Sequence, residues 1–166
     1  EDLIAGGYLT PAVLNYVALL GWAPKGERSE QEIFSLSELV DAFDIAGISK
    51  SPAIFDMAKL DYFNATYLRA LSQAEFARTA EPYIRETVKN PAIDTSAVAA
   101  LLQARCEKLT DIPEKVDFFD QVPEYSVEFF TNKKSKTNPE VCKTMLEAAI
   151  PALEALPEWT QTSVHD

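Results

Sequence analysis

The stretch "KSPAIFDMAKLDYFNATYLR", residues 50–69, decides the fold because it contains a complete helix signal. Asp56 is a preferred N-cap residue, and four apolar residues that follow it share one stripe at 100° per residue. Asn64 lies inside that stripe, whereas Arg69 lies on another face together with Tyr62. We therefore predict a helix that buries one face, with Asn64 making a structural hydrogen bond inside the core. The apolar residues of the stripe are Leu60, Phe63, Tyr67 and Leu68.

Other helix signals precede and follow this stretch. Ser72 and Glu75 have the spacing of a capping box, and Asn138-Pro139 suits the start of the last complete helix. Pro82 interrupts an apolar helical run, so we expect a kink or two short helices there. Every strong signal is helical, which predicts a mostly α protein. In the last complete helix we expect four side chains to point inward, those of Val141, Met145, Leu146 and Ala149.

The chain has 166 residues, enough for one domain or two small ones. Long loops separate the helices before residue 70, whereas the later helices are closely spaced as in a bundle. We therefore predict a boundary near residue 70, between domains 1–70 and 71–166. A net charge of −11 argues against a protein that coats nucleic acids or anionic membranes. No apolar run approaches 18 residues and no signal peptide opens the chain, so we expect a soluble cytoplasmic protein.

Catalytic patterns are missing from the sequence. The single histidine is His165, which removes any triad or multi-histidine metal site built from this chain alone. The five glycines have no nucleotide-binding spacing. We interpret the many paired carboxylates as solvated surfaces. We predict neither a catalytic nor a metal site here, and the first residue, Glu1, together with the interrupted final helix suggests a piece of a longer protein.

Binding is better supported than catalysis. The window 131–143, "TNKKSKTNPEVCK", contains four lysines and one glutamate and leads into a helix N-terminus. Backbone N–H groups and the positive dipole end suit a phosphate group there. The alternative is a solubilising loop. Arg69 can hold a phosphate with two hydrogen bonds, or it can pair with a neighbouring carboxylate.

Two long segments carry a family resemblance. "GYLTPAVLNYVALLGW" (7–22) and "EIFSLSELVDAFDIAGISKSPAIFDMAKLDYFNATYLR" (32–69) closely resemble the bacterial-type, class I glutamyl-tRNA synthetases just downstream of their KMSKS-type catalytic loop. "FFDQVPEYSVEFFTNKKSKTN" (118–138) is similar to a helical region of the same family. The likeness extends over essentially the whole chain and is most specific in the first 70 residues.

The resemblance implies a stem-contact helical domain, 1–70, followed by the first α-helical anticodon-binding domain, 71–166, incomplete at its C-terminus. In that family the enzyme joins glutamate to tRNA-Glu using ATP and Mg²⁺, which bind in a Rossmann domain upstream. This chain would then position tRNA without a catalytic site, as part of a monomer with no DNA or membrane partner. Alternatives are a non-discriminating relative that also charges tRNA-Gln, or a truncated paralogue.

The family likeness suggests RNA-contacting residues in both parts. The alternative function class is an acidic protein-interaction module that binds through the exposed aromatic residues Tyr125, Phe129 and Phe130. Asn64 is assigned to structure, with RNA contact as its alternative. The RNA-contact candidates are Lys50, Ser51, Lys59 and Arg69 in the stem-contact part, and Lys133, Lys134 and Lys136 in the bundle.

Overall fold

The computed structural model describes residues 2–120 and 124–165. Within these ranges the chain forms nine α-helices joined by loops and 3-10 turns, and it forms no β-strand. The prediction of a mostly α fold is therefore confirmed. The chain divides into two compact units, Glu1–Val122 and Pro123–Asp166. The boundary predicted near residue 70 lies inside the first unit, between two consecutive helices.

The first unit contains seven helices within its described residues, and the second contains two. The seven are α1 (Asp2–Ala5), α2 (Thr10–Gly21), α3 (Leu36–Ala42), α4 (Met57–Ala70), α5 (Gln73–Thr87), α6 (Thr95–Leu102) and α7 (Ile112–Lys115). The two are α8 (Pro139–Glu154) and α9 (Gln161–His165). The 3-10 turns are Gly26–Arg28, Ile45–Gly47, Leu109–Asp111, Asp117–Phe119 and Val127–Phe130.

Side-chain caps start the helices α4 and α5. The Asp56 carboxylate accepts hydrogen bonds from the backbone N–H groups of Ala58 (2.9 Å) and Lys59 (3.3 Å) at the start of α4. At the start of α5, Ser72 and Glu75 exchange hydrogen bonds as a capping box. Both N-cap residues are the ones that the sequence predicted, because capping depends on neighbouring residues alone.

Helix α4 contributes to two separate hydrophobic cores. Leu60 and Phe63 are fully buried in the first core, where they pack with Tyr8 and Tyr16 of the N-terminal segment and α2. One turn further on, Leu68 is fully buried in the second core, formed mainly by α5, α6 and α7. The apolar stripe of α4 therefore passes from one core to the other within two turns.

Asn64 lies at the point where α4 passes between the cores. Its side chain is fully buried, and Oδ1 accepts a hydrogen bond from the backbone N–H of Leu9 at 2.8 Å. Nδ2 donates to the backbone carbonyl of Glu107 at 2.6 Å and lies 3.5 Å from that of Gly7. Both ends of the amide are used, which supports the structural role assigned to Asn64.

One of the two alternatives predicted at Pro82, a division into two short helices, is wrong. Pro82 lies inside α5, which runs without interruption from Gln73 to Thr87, and the other alternative, a kink, stays a prediction. Phe76 and Ala80 before Pro82, and Ile84 after it, are all fully buried on one face. Their burial in the second core stabilises the helix on both sides of the missing hydrogen bond.

The apolar face of α8 is exposed and does not turn inward as predicted. Val141, Met145 and Leu146 have 40%, 59% and 53% of their surface exposed, and Ala149 is exposed as well. None of the described residues 124–165 is buried. A helix needs a second layer to bury its apolar face, and this range supplies only one long helix with a short helix and a 3-10 turn.

Replacing Asn64 with Ala should lower the free energy of unfolding by about 3 kcal/mol, because a partly buried N–H and a partly buried carbonyl lose their partners. Urea denaturation followed by circular dichroism measures the difference. Gln73→Ala is the control, since Gln73 is exposed, and it should change stability by less than about 0.5 kcal/mol. Equal stability of the two variants would show that the amide is not structural.

The capping box of α5 should make stability depend on pH. Hydrogen bonds from the Ser72 hydroxyl and backbone N–H lower the pKa of the Glu75 carboxyl. A carboxyl whose pKa is lower in the folded than in the unfolded state stabilises the fold above its unfolded pKa, and this contribution disappears as the pH falls through the folded pKa.

Glu75→Gln should therefore lower the melting temperature at pH 7, and its difference from the unsubstituted chain should vanish in acid. Ser72→Ala should weaken the same pH dependence, because it removes the hydroxyl partner. Thermal melts between pH 7 and acid pH measure both effects. A difference that stays constant over this range would contradict the assignment.

Candidate nucleic-acid interface

Lys50 and Ser51 lie on an anchored loop before α4. Both residues are exposed. The loop is held to the end of α2, because the Ser49 N–H donates to the Gly21 carbonyl at 2.8 Å. The backbone of Ser51 is also held in place, because its N–H donates to the Ser49 hydroxyl at 3.1 Å. The loop therefore presents one cation and one hydroxyl from a defined backbone.

Lys59 and Arg69 lie on α4 in different electrostatic surroundings. The Lys59 ammonium is 2.8 Å from a Glu32 carboxylate oxygen and 5.7 Å from the centre of the Phe63 ring. Arg69 is exposed in the last turn and makes no hydrogen bond or ion pair within residues 2–120 and 124–165. Its guanidinium is thus available to an anion, whereas Lys59 already has one.

The structure does not gather the stem-contact candidates into one cluster. Lys59 and Arg69 are ten residues apart, which places them about 15 Å apart along the helix axis. Such a spacing suits contacts with separate phosphates of a long backbone and does not suit one small anion. Tyr62, on the exposed side between them, has 54% of its surface exposed.

A closed turn in the second unit presents the three bundle lysines. Asn132 and Thr137 exchange backbone hydrogen bonds of 3.2 and 3.1 Å across the turn. The Asn132 side-chain oxygen also accepts from the N–H groups of Lys134 (2.9 Å) and Ser135 (3.2 Å). Lys133, Lys134 and Lys136 are all exposed, so three cations project from six residues.

The N-terminus of α8 adds little to this turn as an anion site. The Asn138 side chain accepts the Val141 N–H at 2.9 Å, and Pro139 has no N–H to offer. Glu140 also places a negative charge in the first turn. The lysine side chains are therefore the phosphate ligands that this region offers.

Neither a metal centre nor a membrane span is found in the described ranges. No group of three or more His, Cys, Asp or Glu side chains is placed to hold a metal ion among residues 2–120 and 124–165. Within the same residues, every helix is too short or too polar to cross a bilayer.

Gly7 and Tyr8 open the segment 7–22 that carries the family resemblance, but no sequence pattern indicated their structural role. Both are buried, and the Gly7 carbonyl lies 3.5 Å from the side-chain nitrogen of Asn64. A positive φ of 87° at Gly7 is the structural reason for that glycine.

Comparisons with known proteins agree over the whole chain. The family model described as "Anticodon binding domain" matches residues 75–166, which is more than half of the chain. Glutamate–tRNA ligases of Clostridium botulinum, Clostridium tetani and Clostridium acetobutylicum are 46%, 45% and 43% identical over 166 residues. The match covers 100% of this chain and 33%, 33% and 34% of those relatives, so the chain spans about a third of their length.

Solved structures give the same result. A glutamate tRNA ligase from Elizabethkingia meningosepticum, in complex with its amino acid, has a TM-score of 0.74 and 28% identity over 92% of this chain and 29% of that chain. A glutamate-tRNA synthetase from Elizabethkingia anophelis has a TM-score of 0.70 and 28% identity over 91% of this chain and 28% of that chain.

Proposed function

Because this chain belongs to the anticodon-binding domain family, we propose that it is the tRNA-binding part of a glutamate–tRNA ligase. The observation that carries the proposal is the identity of 43–46% to such ligases over all 166 residues. The longer protein would attach glutamate to tRNA-Glu with ATP, in the cytoplasm and as a monomer. A non-discriminating enzyme that also charges tRNA-Gln is the alternative within the same family.

We propose that two domains contact the tRNA: a stem-contact domain, residues 1–70, and an anticodon-binding domain, residues 71–166. The exposed guanidinium of Arg69 and the ordered loop at Lys50 and Ser51 support contacts in the first domain. The closed turn with Lys133, Lys134 and Lys136 supports contacts in the second. Lys59 would have to leave Glu32 or bind phosphate as part of that ion pair.

The chain's acidity is compatible with this role. A net charge of −11 repels RNA at long range, but the phosphates of a folded RNA are held by local cations and by shape. The candidate cations lie on an ordered loop, a helix end and a tight turn. They can therefore meet phosphates without a uniformly basic surface.

ATP and Mg²⁺ have no place among these residues in the proposal. The described ranges hold no metal-ligand cluster, and the sequence has no glycine-rich phosphate loop. We assign these residues to holding the tRNA, and ATP and Mg²⁺ would bind in another part of the longer protein.

Neutralising the lysine turn should weaken tRNA binding and reduce its salt dependence. Each lost phosphate contact lowers the slope of log K against log salt by about 0.7–0.9. The triple variant Lys133→Gln, Lys134→Gln, Lys136→Gln should therefore lower the slope by roughly 2 if all three lysines meet phosphates. Gel-shift titrations of tRNA-Glu at several salt concentrations measure it.

The matched control changes the same charge at positions outside the proposed interface. Lys25→Gln, Lys89→Gln and Lys115→Gln, combined in one chain, should leave the slope close to that of the unsubstituted chain. If both triple variants give the same slope, the turn makes no specific phosphate contact and only the net charge matters.

Arg69→Gln alone should lower the slope of log K against log salt by about 0.7–0.9, the effect of one lost phosphate contact.

A protein-interaction module is the second candidate function. It is favoured by the exposure of Tyr125, Phe129 and Phe130, at 56%, 78% and 38% of their surface. A native gel at low salt separates the two proposals. If the unsubstituted chain does not shift tRNA-Glu, tRNA binding by this chain is contradicted and the interaction module becomes the better reading.

A further inference from the structure

The segment Gly6–Leu9 passes between the two cores of the first unit. Tyr8 is buried in the first core, with Tyr16, Leu60 and Phe63. The next residue, Leu9, packs against the second core. Consecutive residues of one short segment thus contribute to different cores, on either side of the position of Asn64.

Direct hydrogen bonds tie this segment to residues 107–110. The Leu109 N–H donates to the Gly7 carbonyl at 3.0 Å, and the Thr110 hydroxyl donates to the Gly6 carbonyl at 2.9 Å. Asn64 adds its bond to the Glu107 carbonyl at 2.6 Å. Residues 107–110 precede α7, so these bonds join the first core directly to the second.

Charged side chains make a further link at the same place. The Tyr8 hydroxyl donates a short hydrogen bond to the Asp61 carboxylate on α4. The Lys108 ammonium lies 3.9 Å from the same carboxylate oxygen and 5.9 Å from the centre of the Tyr8 ring. Asp61 therefore connects a residue of the first core with a residue of the 107–110 segment.

Gly7 permits the close approach of the two segments. A Cβ at this position would lie 2.6 Å from the Thr110 nitrogen and 2.9 Å from the Leu109 nitrogen. Both are backbone atoms, which cannot rotate out of the way. Its φ of 87° also disfavours any residue other than glycine.

We propose that this junction, Gly6–Leu9 with Asp61, Asn64 and residues 107–110, fixes the orientation of the two sides of the first unit relative to each other, with Gly7 as a positioning residue. The inference rests on the proposed function. Lys50 and Lys59 lie on the first side, and the family-matched region from residue 75 begins on the other. When the two sides are held rigidly, the first contact with tRNA makes the second intramolecular and therefore more favourable.

The test compares two glycines that both have a positive φ. Gly7→Ala pushes residues 109 and 110 away, whereas Gly26→Ala also places a Cβ at a positive φ, of 66°, but has no atom within 4 Å of the new Cβ. Titrations with tRNA-Glu are made at a temperature at which circular dichroism shows both variants folded. Gly7→Ala should bind about tenfold more weakly, and Gly26→Ala within about twofold of the unsubstituted chain.

The salt dependence separates positioning from contact. Neither glycine substitution removes a cation, so the slope of log K against log salt should be unchanged in both. If Gly7→Ala does not fold, Thr110→Val decides, because it removes only the hydroxyl bond to Gly6 and should weaken binding about fivefold, outside the range expected for Gly26→Ala. Affinity equal to that of Gly26→Ala, or a lower salt slope, would overturn the proposal.

A distance measurement tests the junction without RNA. Spin labels at Ala58→Cys on α4 and Glu81→Cys on α5, in a Cys142→Ser background with the buried Cys106 retained, report the orientation of the two sides. The distance distribution should shift or widen in Gly7→Ala and stay unchanged in Gly26→Ala. An unchanged distribution in Gly7→Ala overturns the junction, whereas failure of the unsubstituted chain to bind tRNA counts against the proposed function alone.

Discussion

The first unit depends on pairing the buried polar groups where its two cores meet. A chain that passes between two hydrophobic clusters carries backbone N–H and carbonyl groups with it, and these are costly when they lack partners. Asn64 supplies both a donor and an acceptor at that point, and so one side chain satisfies groups on Leu9 and Glu107. The fully apolar alternative at this position would leave both groups unpaired. The polar residue inside the apolar stripe of α4 is thus a requirement of the two-core arrangement.

This constraint has a consequence for RNA binding. The residues proposed to offer cations to RNA are exposed and sparse, and their arrangement depends on the elements beneath them. Arg69 follows Leu68, which is fully buried in the second core, so the position of the guanidinium is set by core packing one residue away. In an acidic chain, affinity must come from the correct placement of a few charges. Rigid support beneath them therefore matters more than their number.

The described residues of the second unit are held by local hydrogen bonds and not by a buried core. Its turn and helix cap are well ordered by local bonds of Asn132 and Asn138, but its apolar side chains lie at the surface. Phe129 and Trp159 have 78% and 70% of their surface exposed. Local hydrogen bonding forms a turn or a helix start from adjacent residues, whereas burial needs an opposing layer of structure. The periodicity of α8 correctly marks an apolar face without determining whether that face is covered.

By itself the sequence determined the helices α4, α5 and α8, the caps of these three helices and the family resemblance. Asp56, Ser72 and Asn138 act on residues two or three positions away, so the chain order contains all that their prediction needs. The resemblance of residues 7–22 and 32–69 to glutamyl-tRNA synthetases agrees with the later comparisons for the same reason, since it is a property of the residue order.

Only the tertiary structure decided how distant segments meet. The continuation of α5 through Pro82, the exposure of α8 and the contact of Gly7 with Thr110 all depend on residues far apart in the chain, where periodicity carries no information. The sequence identified Asn64 as a buried amide. Its partners, 55 and 43 positions away, were set by packing, because a buried hydrogen bond forms with whichever backbone group the fold brings within reach.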